Sequence, residues 1–298
     1  TEPFAYQWYK NGTAIEGATN LVLNGVFVAE DEGSYTVEIS NDYGKVTSAA
    51  AVVSLHIPAV NSYEESVYLM DPYAYWRLGE TSGTTAYDYA GGKNGVYTSF
   101  MNQGVAGAIN GDSDRAVNFI GQDQIVTEPL GLTNTANVTF AVWLRPTGKL
   151  GASDKTTLLY NRSGTSDKSA TGIDIAAGQL AYHWADGHMD WRSGLYPVIN
   201  EWNFIVMAIS PTNAVFYLGD KDGNLKFVNR TATHDPANLL ARFTIGGDSF
   251  YGERKVEGDI DEAVVFDRTL TEEEVINLYN LGFMGSESAP KIQEQPVG

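Results

Sequence analysis

The chain has 298 residues, of which 43% are hydrophobic and 12% aromatic, and it contains no cysteine. This composition excludes a disordered chain, and the lack of cysteine excludes disulfide scaffolds, thiolate metal sites and cysteine nucleophiles. The formal net charge of −18 argues against a nucleic-acid partner, because no basic surface is available to neutralise phosphates.

No apolar run approaches the ~18 residues that span a bilayer, so membrane insertion is not expected. The length suggests about two domains. Because the sequence starts without Met or a signal peptide, we expect an internal fragment or a mature segment of a longer protein. The acidic charge and the missing cysteines are compatible with an extracellular or cell-surface protein of bacterial type.

Residues 1–57 alternate polar and apolar side chains, which predicts β-strands. The segment Asp31-Glu32-Gly33-Ser34-Tyr35 resembles the corner of immunoglobulin-like domains, whose tyrosine hydroxyl bonds to upstream backbone. The resemblance implies that Trp8 is the buried tryptophan of such a domain and that its first two strands are missing. Val37 stands where antibody domains have cysteine, as in cysteine-free bacterial repeats.

The tail 287–298 resembles the first strand of a following immunoglobulin-like domain. Together with residues 1–57, it predicts a larger protein with tandem repeats. We expect this tail to be ordered only when it pairs with an immunoglobulin-like sheet, most simply that of a neighbouring copy.

Residues 58–286 form the predicted second domain, in which short strands are separated by clusters of Gly, Asn and Asp. One helix is predicted near its end, capped by Thr271 and ended by Gly282. Many short strands with almost no helix predict a β-sandwich of the jelly-roll type. The expected fold class is therefore all-β.

Four blocks of this domain resemble laminin G-like, concanavalin A-like jelly rolls. In chain order they are Tyr75–Glu80 with Ala86–Gly95, Val138–Pro146, Glu201–Val206 with Phe216–Gly219, and Gly258–Thr271. The resemblance implies a jelly roll with one short C-terminal helix, and it places Trp76, Trp143 and Trp202 in the core. This fold hosts lectins, carbohydrate-binding modules, adhesion modules and glucanases, so it determines function less than fold.

The pattern Glu257-x-Asp259-x-x-Glu262 matches the catalytic strand of some jelly-roll glucanases, whose two carboxyl groups act as nucleophile and acid/base. Strand parity places Glu262 on the face opposite Glu257 and Asp259 unless a bulge intervenes. The resemblance places the stretch at the sandwich edge. We therefore predict that the chain is not an enzyme, and the glucanase remains a remote third interpretation.

A structural calcium ion is implied by the same resemblance, since similar jelly rolls bind it through an Asp of the first block and the Asp of the closing strand. The matching residues are Asp88 and Asp261, with Asn94 or nearby carbonyl groups completing the six to eight oxygen ligands. The alternative is that Asp88 caps a turn and Asp261 pairs with an arginine.

Residues 182–192 combine aromatic rings with side chains that bind hydroxyl groups. The predicted glycan-binding residues are Trp184, Asp186, His188, Trp191 and Arg192. Aromatic rings offer flat apolar faces to sugars, although both tryptophans also suit a hairpin core. We predict a non-catalytic module that binds a polysaccharide or surface glycan. The alternative is a structural spacer or protein-adhesion repeat.

Overall fold

The computed structural model describes residues 3–25, 28–148, 150, 155–187 and 191–285. Two compact units make up the chain, with their boundary between Ala59 and Val60. The predicted C-terminal strand at 287–298 lies outside the described residues.

Within residues 3–25 and 28–59 of the first unit, five strands form one antiparallel sheet. They are β1 (Ala5–Lys10), β2 (Thr13–Ala14), β3 (Gly33–Asn41), β4 (Gly44–Thr47) and β5 (Ala51–Val53). The sheet order is β2-β1-β3-β4, with β5 also paired to β3. The predicted tyrosine bond is confirmed, because the Tyr35 hydroxyl donates to the Asp31 carbonyl at 2.7 Å.

Trp8 corrects the expectation for this unit. Its side chain is only half-buried, and its indole N–H donates to the Asn20 carbonyl at 3.0 Å. Among the described residues of the first unit, Tyr35 is the only buried side chain. Because the described strands of this unit form a single sheet, only one face of the Trp8 ring is covered. Trp8 is therefore less buried than a tryptophan between the two sheets of a sandwich.

The described residues of the second unit form seventeen strands and two α-helices. The elements are α1 (Tyr63–Leu69), β6 (Ala74–Trp76), β7 (Thr85–Ala86), β8 (Gly95–Val96), β9 (Met101–Ala106), β10 (Arg115–Ile120), β11 (Ile125–Pro129), β12 (Leu132–Thr135), β13 (Val138–Pro146), β14 (Lys155–Arg162), β15 (Ala170–Ala176), β16 (Gln179–His183), β17 (Asn203–Ile209), β18 (Asn213–Gly219), β19 (Leu225–Thr231), β20 (Ala237–Leu239), β21 (Arg242–Ile245), β22 (Glu257–Phe266) and α2 (Glu272–Met284).

Two large antiparallel sheets form the sandwich. One has the order β19-β18-β17-β13-β22-β10-β9, with β6 also paired to β22; the other has the order β16-β15-β14-β21-β11-β8-β7. Strands β12 and β20 pair separately. The predicted all-β sandwich is confirmed.

The core lies between the two sheets, where Trp76 stacks on Phe243 with ring centres 5.6 Å apart. Trp76 and Trp143 are buried as predicted. Trp202 is only partly buried, with the Arg145 guanidinium 5.5 Å from its ring centre, so its predicted place in the core is wrong. It directly precedes β17, at the start of that strand, where the Arg145 guanidinium rather than a second apolar layer lies near its ring.

Both helices cover the outer face of the larger sheet, in a second apolar cluster that contains Tyr63, Trp143 and Tyr279. The predicted cap of α2 is confirmed by a reciprocal pair of hydrogen bonds between Thr271 and Glu274. Helix α2 passes the expected stop and ends at Met284. Neither described helix, of 7 and 13 residues, is long and apolar enough to cross a membrane.

Helix α1 was not predicted. Its cap is Ser62, whose hydroxyl accepts from the Glu65 N–H at 3.0 Å. Serine followed three residues later by glutamate is a start signal for a helix. The helix brings Glu64 into the buried part of the second unit, where it takes part in the charged cluster described below.

Candidate functional site

Trp184 is fully buried and contributes no ring face to solvent. Its indole N–H donates to the Asp235 carbonyl at 2.7 Å. The Asp186 carboxylate accepts from the Asp235 N–H at 3.1 Å, so both residues fasten the segment after β16 to the segment before β20. The prediction that Trp184 stacks on a sugar is therefore wrong, because alternation along β16 places it in the core.

Trp191 is only partly buried and packs against the rim of the core. One side of its indole stacks on Phe216 with 6.1 Å between ring centres, and Tyr182 approaches edge-on at 5.8 Å. The Arg230 guanidinium lies 5.8 Å from the ring centre. Arg192 beside it is exposed and Asp186 is half-buried, so among the described residues these three predicted glycan-binding residues reach the surface. His188 lies outside the described residues.

Asp88 holds a turn. Its carboxylate accepts from four backbone N–H groups, those of Tyr75, Ala90, Gly91 and Lys93, at 2.7–3.1 Å. The Asn94 side-chain oxygen accepts from the Asp88 N–H. Three of these bonds end on Oδ1 and one on Oδ2, so most of the accepting capacity of Asp88 is used by the turn itself. The structure thus favours the turn-capping alternative for Asp88 and Asn94.

Asp261 and Glu262 lie in the interior of the larger sheet, because β22 is flanked by β13 and β10. Glu262 has φ of 51°, and it shares with Ala263 the position opposite Val142 of β13. This β-bulge turns two consecutive carboxyl groups toward the same outer face. The stretch was expected at the edge of the sandwich, and Glu262 on the face opposite Glu257 and Asp259. Both expectations are wrong.

Arg77 stands at the centre of this acidic cluster. Its guanidinium lies 2.8 Å from both Glu64 and Asp114, and 3.3 Å from Glu262. Asp112 is a further partner at 3.2 Å. With Asp261, five carboxyl groups surround one guanidinium, so the cluster carries more acidic groups than its cation can neutralise.

Burial raises the pKa of Glu262 to about 8, and the Tyr75 hydroxyl donates to its carboxylate. Burial, together with the charge of Glu262, also raises the pKa of Asp261 well above its usual range. One oxygen of Asp261 accepts from the Ala108 N–H at 2.7 Å, while the other is buried without a hydrogen-bond partner in the part of the chain that the structure describes. The folded chain therefore favours the protonated forms of Asp261 and Glu262.

The carboxyl groups that the structure brings together differ from the predicted calcium ligands. Carboxylate oxygens of Asp114, Asp261 and Glu262 lie within 4.8 Å of one another, and oxygen ligands of this type suit Ca²⁺. Arg77 already holds two of these three groups. Calcium binding at Asp261 stays a prediction, which is tested by comparing the melting temperature with and without a chelator.

The glucanase-like pattern does not converge on one accessible site. Glu257 is exposed, Asp259 is buried and paired with Arg145, and Glu262 is fully buried. Asp259 also accepts from the Asn118 amide at 2.7 Å. A glycosidic oxygen does not reach a carboxyl group without exposed surface, so these three residues do not form a pair that flanks a scissile bond.

A buried polar network lies on the outer face of the smaller sheet. Asp174 and His183 follow Ile173 and Tyr182, which face the core, so both point away from it. The Asp174 carboxylate bonds to Nδ1 of His183 and accepts from the Thr157 hydroxyl at 3.1 Å. The Nε2 atom of His183 is buried without a hydrogen-bond partner among the described residues.

This network continues to the segment after β21. The Tyr160 hydroxyl donates to Asp174 at 3.4 Å and accepts from Arg162 at 3.3 Å. Arg162 in turn lies 3.1 Å from Asp248, which also pairs with Arg254. Local sequence patterns do not indicate this arrangement, because its members are spread over β14, β15, β16 and the segment after β21, which meet only through the register of the sheet.

Comparisons with known proteins agree with this fold. A family model described as the concanavalin A-like lectin/glucanases superfamily matches residues 119–276, which confirms the predicted jelly-roll family. No curated protein sequence matches the chain at a significant level.

Three solved structures illustrate the similarity. Domain 4 of an extracellular arabinanase from Geobacillus stearothermophilus, in complex with arabinotriose, has 16% identity and a TM-score of 0.50, over 70% of this chain and 98% of that one. The binding domain of Paraclostridial Mosquitocidal Protein 1 has 14% identity and a TM-score of 0.52, over 71% and 52%. A mutant Trypanosoma rangeli sialidase displaying trans-sialidase activity has 12% identity and a TM-score of 0.51, over 85% and 43%. The present chain thus spans about half or less of the length of the last two proteins.

The prediction that this chain is not an enzyme is contradicted by these findings. The description of the matching family names glucanases as well as lectins, and two of the three structures come from glycosidases. At these identities the likeness shows the fold alone. The fold therefore gives no ground for excluding catalysis.

Proposed function

This chain belongs to the concanavalin A-like lectin/glucanases superfamily, and from that premise we propose that its second unit binds carbohydrate. The arabinanase domain, 98% of which is covered by this chain, was solved with arabinotriose, and this supports a carbohydrate ligand. We further propose that the module acts outside the cell or at its surface, as part of a longer protein with an immunoglobulin-like domain at residues 1–57.

The observation that carries the proposal is the pair Trp191 and Arg192. Trp191 is held by Phe216 and Arg230 and remains partly exposed, whereas Arg192 extends into solvent. A fixed indole face packs against the C–H face of a sugar ring at little entropic cost, and a guanidinium donates hydrogen bonds to its hydroxyl groups. These two residues supply both interactions at one point of the surface.

The charge of the chain favours a neutral glycan. A formal net charge of −18 repels polyanions, so the chain as a whole interacts less favourably with acidic polysaccharides than with neutral ones. We therefore propose a neutral polysaccharide or surface glycan as the partner.

The variant Trp191→Ala is expected to weaken binding to a neutral glycan by about 5- to 150-fold, which corresponds to the ~1–3 kcal/mol of an aromatic stacking contact. Affinity electrophoresis in gels that contain arabinan, xylan, mannan or cellulose derivatives measures this loss. Trp202→Ala is the matched control, because Trp202 is also partly buried and also lies beside an arginine. Equal retardation of Trp191→Ala and the wild type, with an unchanged fold, would overturn the assignment of Trp191.

A further inference from the structure

A groove runs between helix α2 and the edge strand β19 in the second unit. The helix lines it with Glu272, Ile276 and Asn280, which are spaced by four residues and so share one helix face. The strand contributes Leu225 and Phe227, which share one strand face. The groove has a volume of about 250 Å³ and opens to solvent.

Aromatic rings form a rigid floor. Phe227 is 53% exposed, and its ring centre lies 5.7 Å from that of the buried Tyr217. Tyr279, also in the lining, stacks on Phe204 at 5.9 Å and on Trp143 at 6.3 Å. The floor is thus continuous with the apolar cluster under the helices, and Phe227 presents a fixed face to solvent.

Polar groups stand beside that face. Glu272 is exposed and Asn280 is half-buried on the helix side of the groove. The charge of Glu272, after burial, contributes to raising the pKa of Tyr217, which places this carboxylate near the aromatic floor. A carboxylate accepts hydrogen bonds from the hydroxyl groups of a ligand. A side-chain amide both accepts hydrogen bonds from such groups and donates to them.

We propose that the α2–β19 groove is a second carbohydrate subsite, which takes one sugar residue of a neutral glycan against Phe227. This inference rests on the proposed carbohydrate-binding function. Glu272 and Asn280 bond the hydroxyl groups of that sugar, and the carboxylate disfavours an acidic one. The groove is smaller than the roughly 300–1,000 Å³ of pockets for drug-sized ligands, so it suits a single sugar ring rather than a longer stretch of glycan.

The test compares Phe227→Ala with Phe250→Ala in the full chain. Both phenylalanines are about equally exposed, at 53% and 47%, but Phe250 is not part of the groove lining. The probes are neutral arabino-, xylo-, manno- and cello-oligosaccharides of three to six residues, titrated calorimetrically. We expect Phe227→Ala to weaken binding at least about fivefold and Phe250→Ala to leave it unchanged.

Asn280→Ala distinguishes a sugar from an apolar partner. A sugar loses a hydrogen bond in this variant and binds more weakly, whereas a partner held by apolar burial alone is insensitive to it. Light scattering of Phe227→Ala adds a second control. A change of mass would show that the groove is an interface between copies of the chain and would overturn the subsite.

The outcomes separate this inference from the proposed function. If Trp191→Ala weakens binding and Phe227→Ala does not, carbohydrate binding stands and the groove proposal fails. If Phe227→Ala alone weakens binding, the groove is supported and the Trp191 site is overturned. If the folded wild-type chain binds none of the oligosaccharides, both proposals fail.

Discussion

Replacing Arg77 with methionine is expected to lower the free energy of unfolding by about 3–5 kcal/mol at pH 8. The guanidinium is almost entirely buried and lies within 2.8–3.3 Å of Glu64, Asp114 and Glu262. Methionine keeps much of the stem but leaves these carboxyl groups without a cation in a poorly solvated place. Urea unfolding followed by tryptophan fluorescence measures the loss.

Arg268→Met is the matched control. Arg268 pairs with Glu274 at 2.7 Å, but its side chain is 38% exposed, so water screens the pair and we expect a loss of about 1 kcal/mol or less. If both variants lose the same small amount of stability, Arg77 is not what compensates the buried carboxyl groups.

The stability of the second unit is expected to fall as the pH rises from about 5 to 9. The pKa of Glu262 is raised to about 8 from an ordinary value of 4.5, so the folded chain retains a proton that the unfolded chain releases. The stabilisation is complete below pH 4.5 and is lost as the pH rises through 8. A shift of this size corresponds to roughly 5 kcal/mol.

Glu262→Gln tests this effect, because glutamine has nearly the same shape, does not ionise and removes the charge that raises the pKa of Asp261. The free energy of unfolding of the wild type, measured in urea at pH 5, 6, 7, 8 and 9, should fall more steeply than that of the variant. Parallel pH profiles for the two proteins would show that Glu262 titrates normally in the folded state.

Local patterns predicted much of the fold. The capping box of Thr271 and Glu274, the closing strand and the Tyr35 hydroxyl bond are each encoded within a few consecutive residues, and each is present. The helix signal Ser62-x-x-Glu65 is equally local, and it begins the helix that was not predicted. Burial of Trp76 and Trp143 followed from their strand blocks.

Long-range geometry could not be predicted in the same way. The bulge at Glu262 reverses the parity that a regular strand imposes, and only its pairing with β13 reveals the reversal. Arg77 meets Glu262 across 185 residues of sequence. His183 meets Asp174 through the register of β15 and β16, since their separation of nine residues indicates no contact by itself.

Trp184 and Trp191 show the same limit within one loop. Both lie beside polar residues in the sequence, and the composition of this segment predicted that both bind the same glycan. Burial separates them, because the alternation of β16 directs Trp184 into the core while Trp191 stays at the rim.

Carbohydrate binding is tested most directly by calorimetric titration of the full, folded chain with neutral oligosaccharides, and with acidic oligosaccharides in parallel. The same samples are assayed for new reducing ends, because the family includes glucanases. We predict saturable binding of at least one neutral glycan and no binding of the acidic set. Heat changes no different from dilution for every neutral glycan, with circular dichroism showing an intact β-sandwich, would contradict the account.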